Sequence, residues 1–130
     1  ITVLGGGFKW IYPKENQLLA STVARHGLLL SEYPPNCRPE KHHFPERNRI
    51  ISGLSAGTFI VEAQKRSGSL ITADQAMEQG REVFCLPGKI TDPSAEGTNR
   101  LIQQGAKLVL EANDILNELP NFHEKDTSTI

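Results

Sequence analysis

The chain has 130 residues, of which 38% are hydrophobic and 22% charged, and its net charge is −1. That length allows one domain with a modest core, and the near-neutral balance excludes a global positive field, so any nucleic-acid site must be a local patch. Two cysteines, Cys37 and Cys85, form neither a disulfide framework nor a metal motif, and they suit a reducing cytoplasm. No signal peptide and no membrane-length apolar run is found, so a cytoplasmic protein without membrane contact is expected.

Taken in chain order, apolar runs at 1–4, 28–30, 58–61, 83–86 and 107–110 predict strands. They lack clean polar alternation, as strands covered on both faces do. Helical patterns lie between them, at 16–25, 45–56, 70–79, 99–104 and 115–119. Gly27 and Gly80 stand where helices should stop, and Asn113 or Asp114 can cap the last one. Alternating strands and helices predict a doubly wound α/β domain with a mostly parallel sheet over residues 1–119. Residues 120–130 turn polar and are expected to be a tail. Ile1 opens directly on a strand-like run without an initiator Met, which suggests a piece of something longer.

The stretch from Lys41 to Ser55 carries the most chemistry. Pro45 suits a first helical turn, and Arg47, Ile50, Ile51 and Leu54 then fall at helical spacing on one core-facing stripe. Lys41, Arg47 and Arg49 near a helix N-terminus oppose the macrodipole unless an anion or a carboxylate offsets them. Phosphate is one candidate, since free N–H groups leave the same end. Pairing with Glu40 and Glu46 on a solvated surface is the other. Phe44 is either a hydrophobic staple on Ile50 or its neighbours, or an exposed face for a base. His42 and His43, adjacent and without a third ligand at standard spacing, predict a basic rim rather than a metal site.

Other motifs are weaker. Gly5-Gly6-Gly7 follows a strand, but the third glycine of a dinucleotide fingerprint would fall at Trp10, so a turn permitting close approach is the better reading. Gly53-Leu54-Ser55-Ala56-Gly57 matches a nucleophile-elbow string, yet a helix precedes it and a strand follows, the reverse of what the elbow needs. Glu62 ends a strand and is expected to orient a base such as Arg47 or Arg66. Ser69 can cap the next helix and Gly68 can expose its N–H groups to an anion; with Ser67 they form either an anion contact or a plain capping loop. Trp10 and Tyr12 are expected to be turn packing.

The ordered set of blocks resembles the DNA-processing protein A (DprA/Smf) family. The blocks are Tyr12-Pro13-Lys14-Glu15-Asn16, Ser31-Glu32-Tyr33-Pro34, the Lys41–Ser55 stretch, Val61-Glu62-Ala63 to Ser67-Gly68-Ser69-Leu70-Ile71-Thr72-Ala73, and Leu86-Pro87-Gly88 with Gly97-Thr98-Asn99 and Leu101-Ile102. The resemblance implies the C-terminal portion of a Rossmann-like domain that binds single-stranded DNA and helps load RecA recombinase during natural transformation. It implies a homodimer through the late part of the domain, and neither catalysis nor a cofactor. It makes a stacking role for Phe44 credible, with Lys41, Arg47 and Arg49 on phosphates and Asn48 bonding to backbone or base. The alternative is a nucleotide-processing enzyme of the lysine-decarboxylase-like phosphoribohydrolase type. Its Pro-Gly-Gly-x-Gly-Thr turn is broken up here, because Lys89 follows Pro87-Gly88.

Overall fold

The computed structural model describes residues 1–119, so the expected tail lies outside the described residues. Strands and helices alternate, and every strand pairing is parallel. The strands fall into two sheets rather than the one expected, and the chain divides into two compact units at Ile51/Ser52.

The first unit holds β1 (Thr2–Leu4), a 3-10 turn (Lys14–Asn16), α1 (Gln17–His26) and β2 (Leu29–Ser31). β1 and β2 run in register Thr2↔Leu29 to Leu4↔Ser31. The Tyr12–Pro13 peptide is cis. α1 ends at Gly27, as its sequence signalled, but buries no residue. The expected cover on both faces is not met: β2 is half-buried throughout, and Thr2 at the start of β1 is exposed.

Helix α2 (His43–Gly53) begins in the first unit. It starts two residues before Pro45, which moves its inward stripe. The buried line runs from His43 through the half-buried Arg47 and Ile50, while Ile51 and Leu54, expected on the core side, are 40% and 56% exposed. Leu54 already lies beyond the helix end. Spacings of four and three residues keep His43, Arg47 and Ile50 on one face.

The second unit carries β3 (Gly57–Ile60), α3 (Gly68–Glu78), β4 (Glu82–Cys85), α4 (Glu96–Gln103), β5 (Lys107–Leu108) and α5 (Ala112–Leu116). Its sheet order is β3-β4-β5. Ile60, Val83, Cys85 and Leu101 form the core with Ala73 and Ala76, whose small side chains bring α3 close to the strands. Burial pushes the Cys85 thiol up to about 11, so it packs as a small apolar residue. Gly80 has φ +70°, the left-handed conformation that ends α3. Two caps differ from expectation. Ser67, not Ser69, caps α3, its hydroxyl accepting the Ser69 N–H at 3.2 Å. Glu111 caps α5 in a reciprocal box, with Asp114 accepting the Glu111 N–H at 3.0 Å.

Candidate nucleic-acid interface

Two loops are zipped together beneath the start of α2. The Gly7 N–H donates to the Cys37 carbonyl at 2.8 Å and the Lys9 N–H to that of Pro35 at 3.1 Å. Ser31 Oγ donates to the Gly6 carbonyl at 2.7 Å. The glycine triplet makes this fit possible. A Cβ on Gly5 would stand 2.7 Å from the Phe44 ring, one on Gly6 would stand 2.9 Å from the Pro39 nitrogen, and one on Gly7 would strike the Pro34 and Pro35 carbonyls. The close approach expected at these glycines is therefore made by the chain itself.

His43 is a strut in this layer rather than part of a basic rim. It is 6% exposed, its Nδ1 lies 2.9 Å from the Gly5 carbonyl, and its ring stacks on Tyr33 at 4.1 Å. The Glu40 N–H also points at Nδ1, at 3.3 Å, so this nitrogen donates to Gly5 or accepts from Glu40 according to the tautomer. His42 stays on the surface, 3.4 Å from the Glu40 carboxylate. Glu40 thus supplies a third side chain near the histidines, with candidate ligand atoms within 4.8 Å of one another, but the His43 ring is already committed to packing and to Gly5.

Tyr33 donates to Glu46 Oε2 at 2.6 Å. Burial, with the neighbouring Glu46 carboxylate, pushes the Tyr33 phenol up to about 12; the hydrogen bond from Tyr33 holds Glu46 below the usual carboxylate value. Arg49 is ion-paired with Glu32, which raises its pKa further. One of the expected phosphate contacts is therefore tied to a carboxylate, that of Glu32, where the surface-pairing alternative had named Glu40 and Glu46.

Arg47 has a different task. Its Nη1 donates to the Val3 carbonyl at 2.7 Å, its Nε to Asn48 Oδ1 at 3.1 Å, and its guanidinium carbon lies 5.3 Å from the centre of the Phe44 ring. Burial lowers its pKa, yet an arginine stays charged. Phe44 lies inside α2, not before it, and is half-buried. It is backed by Gly5, flanked by Arg47, and 6.4 Å from the Tyr12 ring. Gly5 and Arg47 thus brace the ring. Lys41 is exposed, and no hydrogen bond or ion pair holds its ammonium among the described residues.

Ser67, Gly68 and Ser69 stand in the second unit at the N-terminus of α3. A Cβ on Gly68 would meet nothing within 4 Å, so this turn is open. Glu62, Arg66, Ser67 and Ser94 line a polar pocket there. The expected pairing of Glu62 with a base is not formed among the described residues. The Pro87-Gly88 turn is closed by Asn99, which accepts the Gly88 N–H at 3.2 Å and donates to the Gly88 carbonyl at 3.0 Å. At the G-x-S-x-G string, Gly53 ends α2 and Gly57 begins β3, the reverse of a nucleophile elbow.

Sequence reasoning missed the buried His43 and the Arg47–Val3 bond. Histidine counts as polar in a periodicity reading, and Val3 is 44 residues from Arg47.

Comparison with known proteins gives a consistent result. The family model for DNA recombination-mediator protein A matches residues 1–120. The chain is 59% identical over 120 residues to the DNA processing protein DprA of Bacillus subtilis, covering 92% of this chain and 40% of that protein. It is 53% identical over 120 residues to the protein Smf of Escherichia coli, covering 92% and 32%. The chain therefore spans well under half the length of these curated relatives. Among solved structures, DNA processing protein A from Streptococcus pneumoniae superposes with a TM-score of 0.81 at 49% identity, over 91% of this chain and 42% of that one. The Helicobacter pylori protein, described by its single-stranded DNA binding mode, gives 0.79 at 31% identity, over 92% and 55%. The matched span, the identities and the shared parallel α/β fold together make this chain a member of the DNA recombination-mediator protein A family.

Proposed function

We propose that the chain binds single-stranded DNA, without catalysis, at the start of α2. The observation that carries this reading is Phe44, an aromatic ring braced by Gly5 and Arg47 beside Lys41, whose ammonium has no partner among the described residues. A ring held in place gives a base a face to stack on, and a nearby ammonium gives a phosphate its counter-charge. The Helicobacter pylori relative supplies the ligand class. Asn48 is already turned to Arg47, so its part is to hold that arginine. Arg49 reaches a phosphate only by leaving Glu32. Ser67, Gly68 and Ser69 form a separate open turn that suits a backbone phosphate.

Within a longer family member, this binding would serve DNA uptake and the loading of RecA recombinase. A second copy of the chain is the expected partner at the late part of the fold. There Leu101 is buried, Ile102 half-buried, and Leu108 and Leu110 are 39% and 77% exposed. A charge at Leu110 is thus the substitution to test by light scattering.

Fluorescence anisotropy with labelled oligo(dT) and a duplex of equal length, over a range of salt, tests the proposal. Preferential binding of the single strand that weakens with salt supports it. Equal binding of both, or none, refutes it.

A further inference from the structure

Beside Phe44 lies an open pocket of about 300 Å³, walled by Trp10, Tyr12, Pro39 and Phe44 and rimmed by Arg38 and Lys41. We propose that this pocket is a second base subsite, into which the nucleotide next to the one on Phe44 places its base; the proposal rests on the single-strand reading above. Turn packing, the sequence-based expectation for Trp10 and Tyr12, does not account for what is seen. Tyr12 is 69% exposed and Trp10 37% exposed.

The pocket is built rather than incidental. The Trp10 indole N–H donates to the Asn36 carbonyl at 3.1 Å, which fixes the ring by its edge and leaves the face away from Arg38 for stacking. Arg38 lies 4.4 Å from the centre of that ring, a cation–π contact that holds a positive charge on the rim. Tyr12 lies 6.4 Å from Phe44, so the aromatic wall is continuous from one ring to the next. Successive bases on a row of rings, with cations at the edge, is how unpaired strands are held without regard to sequence.

The charge pattern selects a base over a phosphate as the occupant. Glu40 also lines the pocket, its carboxylate 3.4 Å from His42 Nδ1. A phosphate at the centre would face that carboxylate. A neutral base meets apolar walls, while its phosphates fall toward Arg38 and Lys41.

Trp10 is the chain's single tryptophan, so its emission reports on the walls it shares with Tyr12, Pro39 and Phe44. Titrating the chain with unlabelled oligo(dT) should quench Trp10 over the same concentration range in which anisotropy records binding. Tyr12→Ala and Arg38→Ala, both at exposed side chains, should each weaken oligo(dT) binding, Tyr12→Ala by roughly fivefold or more if a full stack is removed. Replacing the thymidines by abasic nucleotides should abolish the quenching and shrink the effect of Tyr12→Ala. Binding by anisotropy with unchanged Trp10 emission and unaltered affinity of both variants overturns the subsite while leaving Phe44 and Lys41 in place. Absence of any oligo(dT) binding by the unaltered chain removes the subsite and the single-strand reading together.

Discussion

The two helix starts, α2 in the first unit and α3 in the second, are held in opposite ways. α3 does it locally: the Ser67 hydroxyl takes the Ser69 N–H, and Gly68 leaves open space above the turn. At α2 the His43 and Phe44 N–H groups go to the nearby Glu40 and Lys41 carbonyls, while side chains of the helix reach residues distant in sequence, with His43 anchored to Gly5, Arg47 to Val3 and Arg49 to Glu32. The first arrangement offers a ligand backbone N–H groups and polar side chains but no aromatic ring. The second fixes the Phe44 ring and leaves the Lys41 ammonium free, which are the parts needed to tell an unpaired strand from a duplex.

Glycine substitutions give the sharpest contrast. Gly7→Ala drives a methyl into the Pro34 and Pro35 carbonyls and should cost roughly 1–3 kcal/mol or more in urea unfolding. Gly68→Ala meets nothing and should be neutral or stabilising by up to about 1 kcal/mol. Equal effects of the two would erase the distinction between a packed helix start and an open one.

Phe44→Ala should lower oligo(dT) affinity by roughly 1–3 kcal/mol with little change in Tm. A large fall in Tm with binding intact would make Phe44 a packing residue only. Lys41→Ala should flatten the salt dependence by about one unit, as expected when one phosphate is deprived of its cation. Arg47→Lys keeps the charge but loses the fork to Val3 and Asn48. It should weaken binding with the salt slope unchanged, and with little effect on an abasic strand. A slope that falls as much as for Lys41→Ala would place Arg47 on a phosphate instead of behind Phe44.

The smallest effect concerns Tyr33 and Glu46. The Tyr33 phenol is raised from 10.0 to about 12, so its contribution to stability is complete below pH 10 and is lost as pH rises through about 12. Glu46 is depressed, so its contribution holds above the ordinary carboxylate value and is lost as pH falls through its lowered one. Tyr33→Phe should return the Glu46 pKa toward its usual value in a carboxyl NMR titration. No movement would mean the bond is not formed in solution.

The alternation of strands and helices was legible because it rests on local periodicity, and Gly27 and Gly80 marked helix ends correctly. Lys41 and Phe44 stood out by residue type. The rest of the site depends on pairings across the chain that no spacing reveals. Val3 to Arg47, Gly5 to His43 and Glu32 to Arg49 tether most of a run of bases and leave Lys41 to meet a ligand. The cap of α3 was misplaced by two residues and that of α5 by two or three, since two serines at the first turn and several acidic or amide residues at the second leave local chemistry more than one choice.

The most direct test of the central claim is the Lys41→Ala/Phe44→Ala double variant in the salt-titrated oligo(dT) assay, with circular dichroism to verify folding. A folded protein whose preference for single strand over duplex is lost, and whose salt slope is shallower, is the expected result. A folded double variant with the affinity, slope and strand preference of the unaltered chain would contradict it.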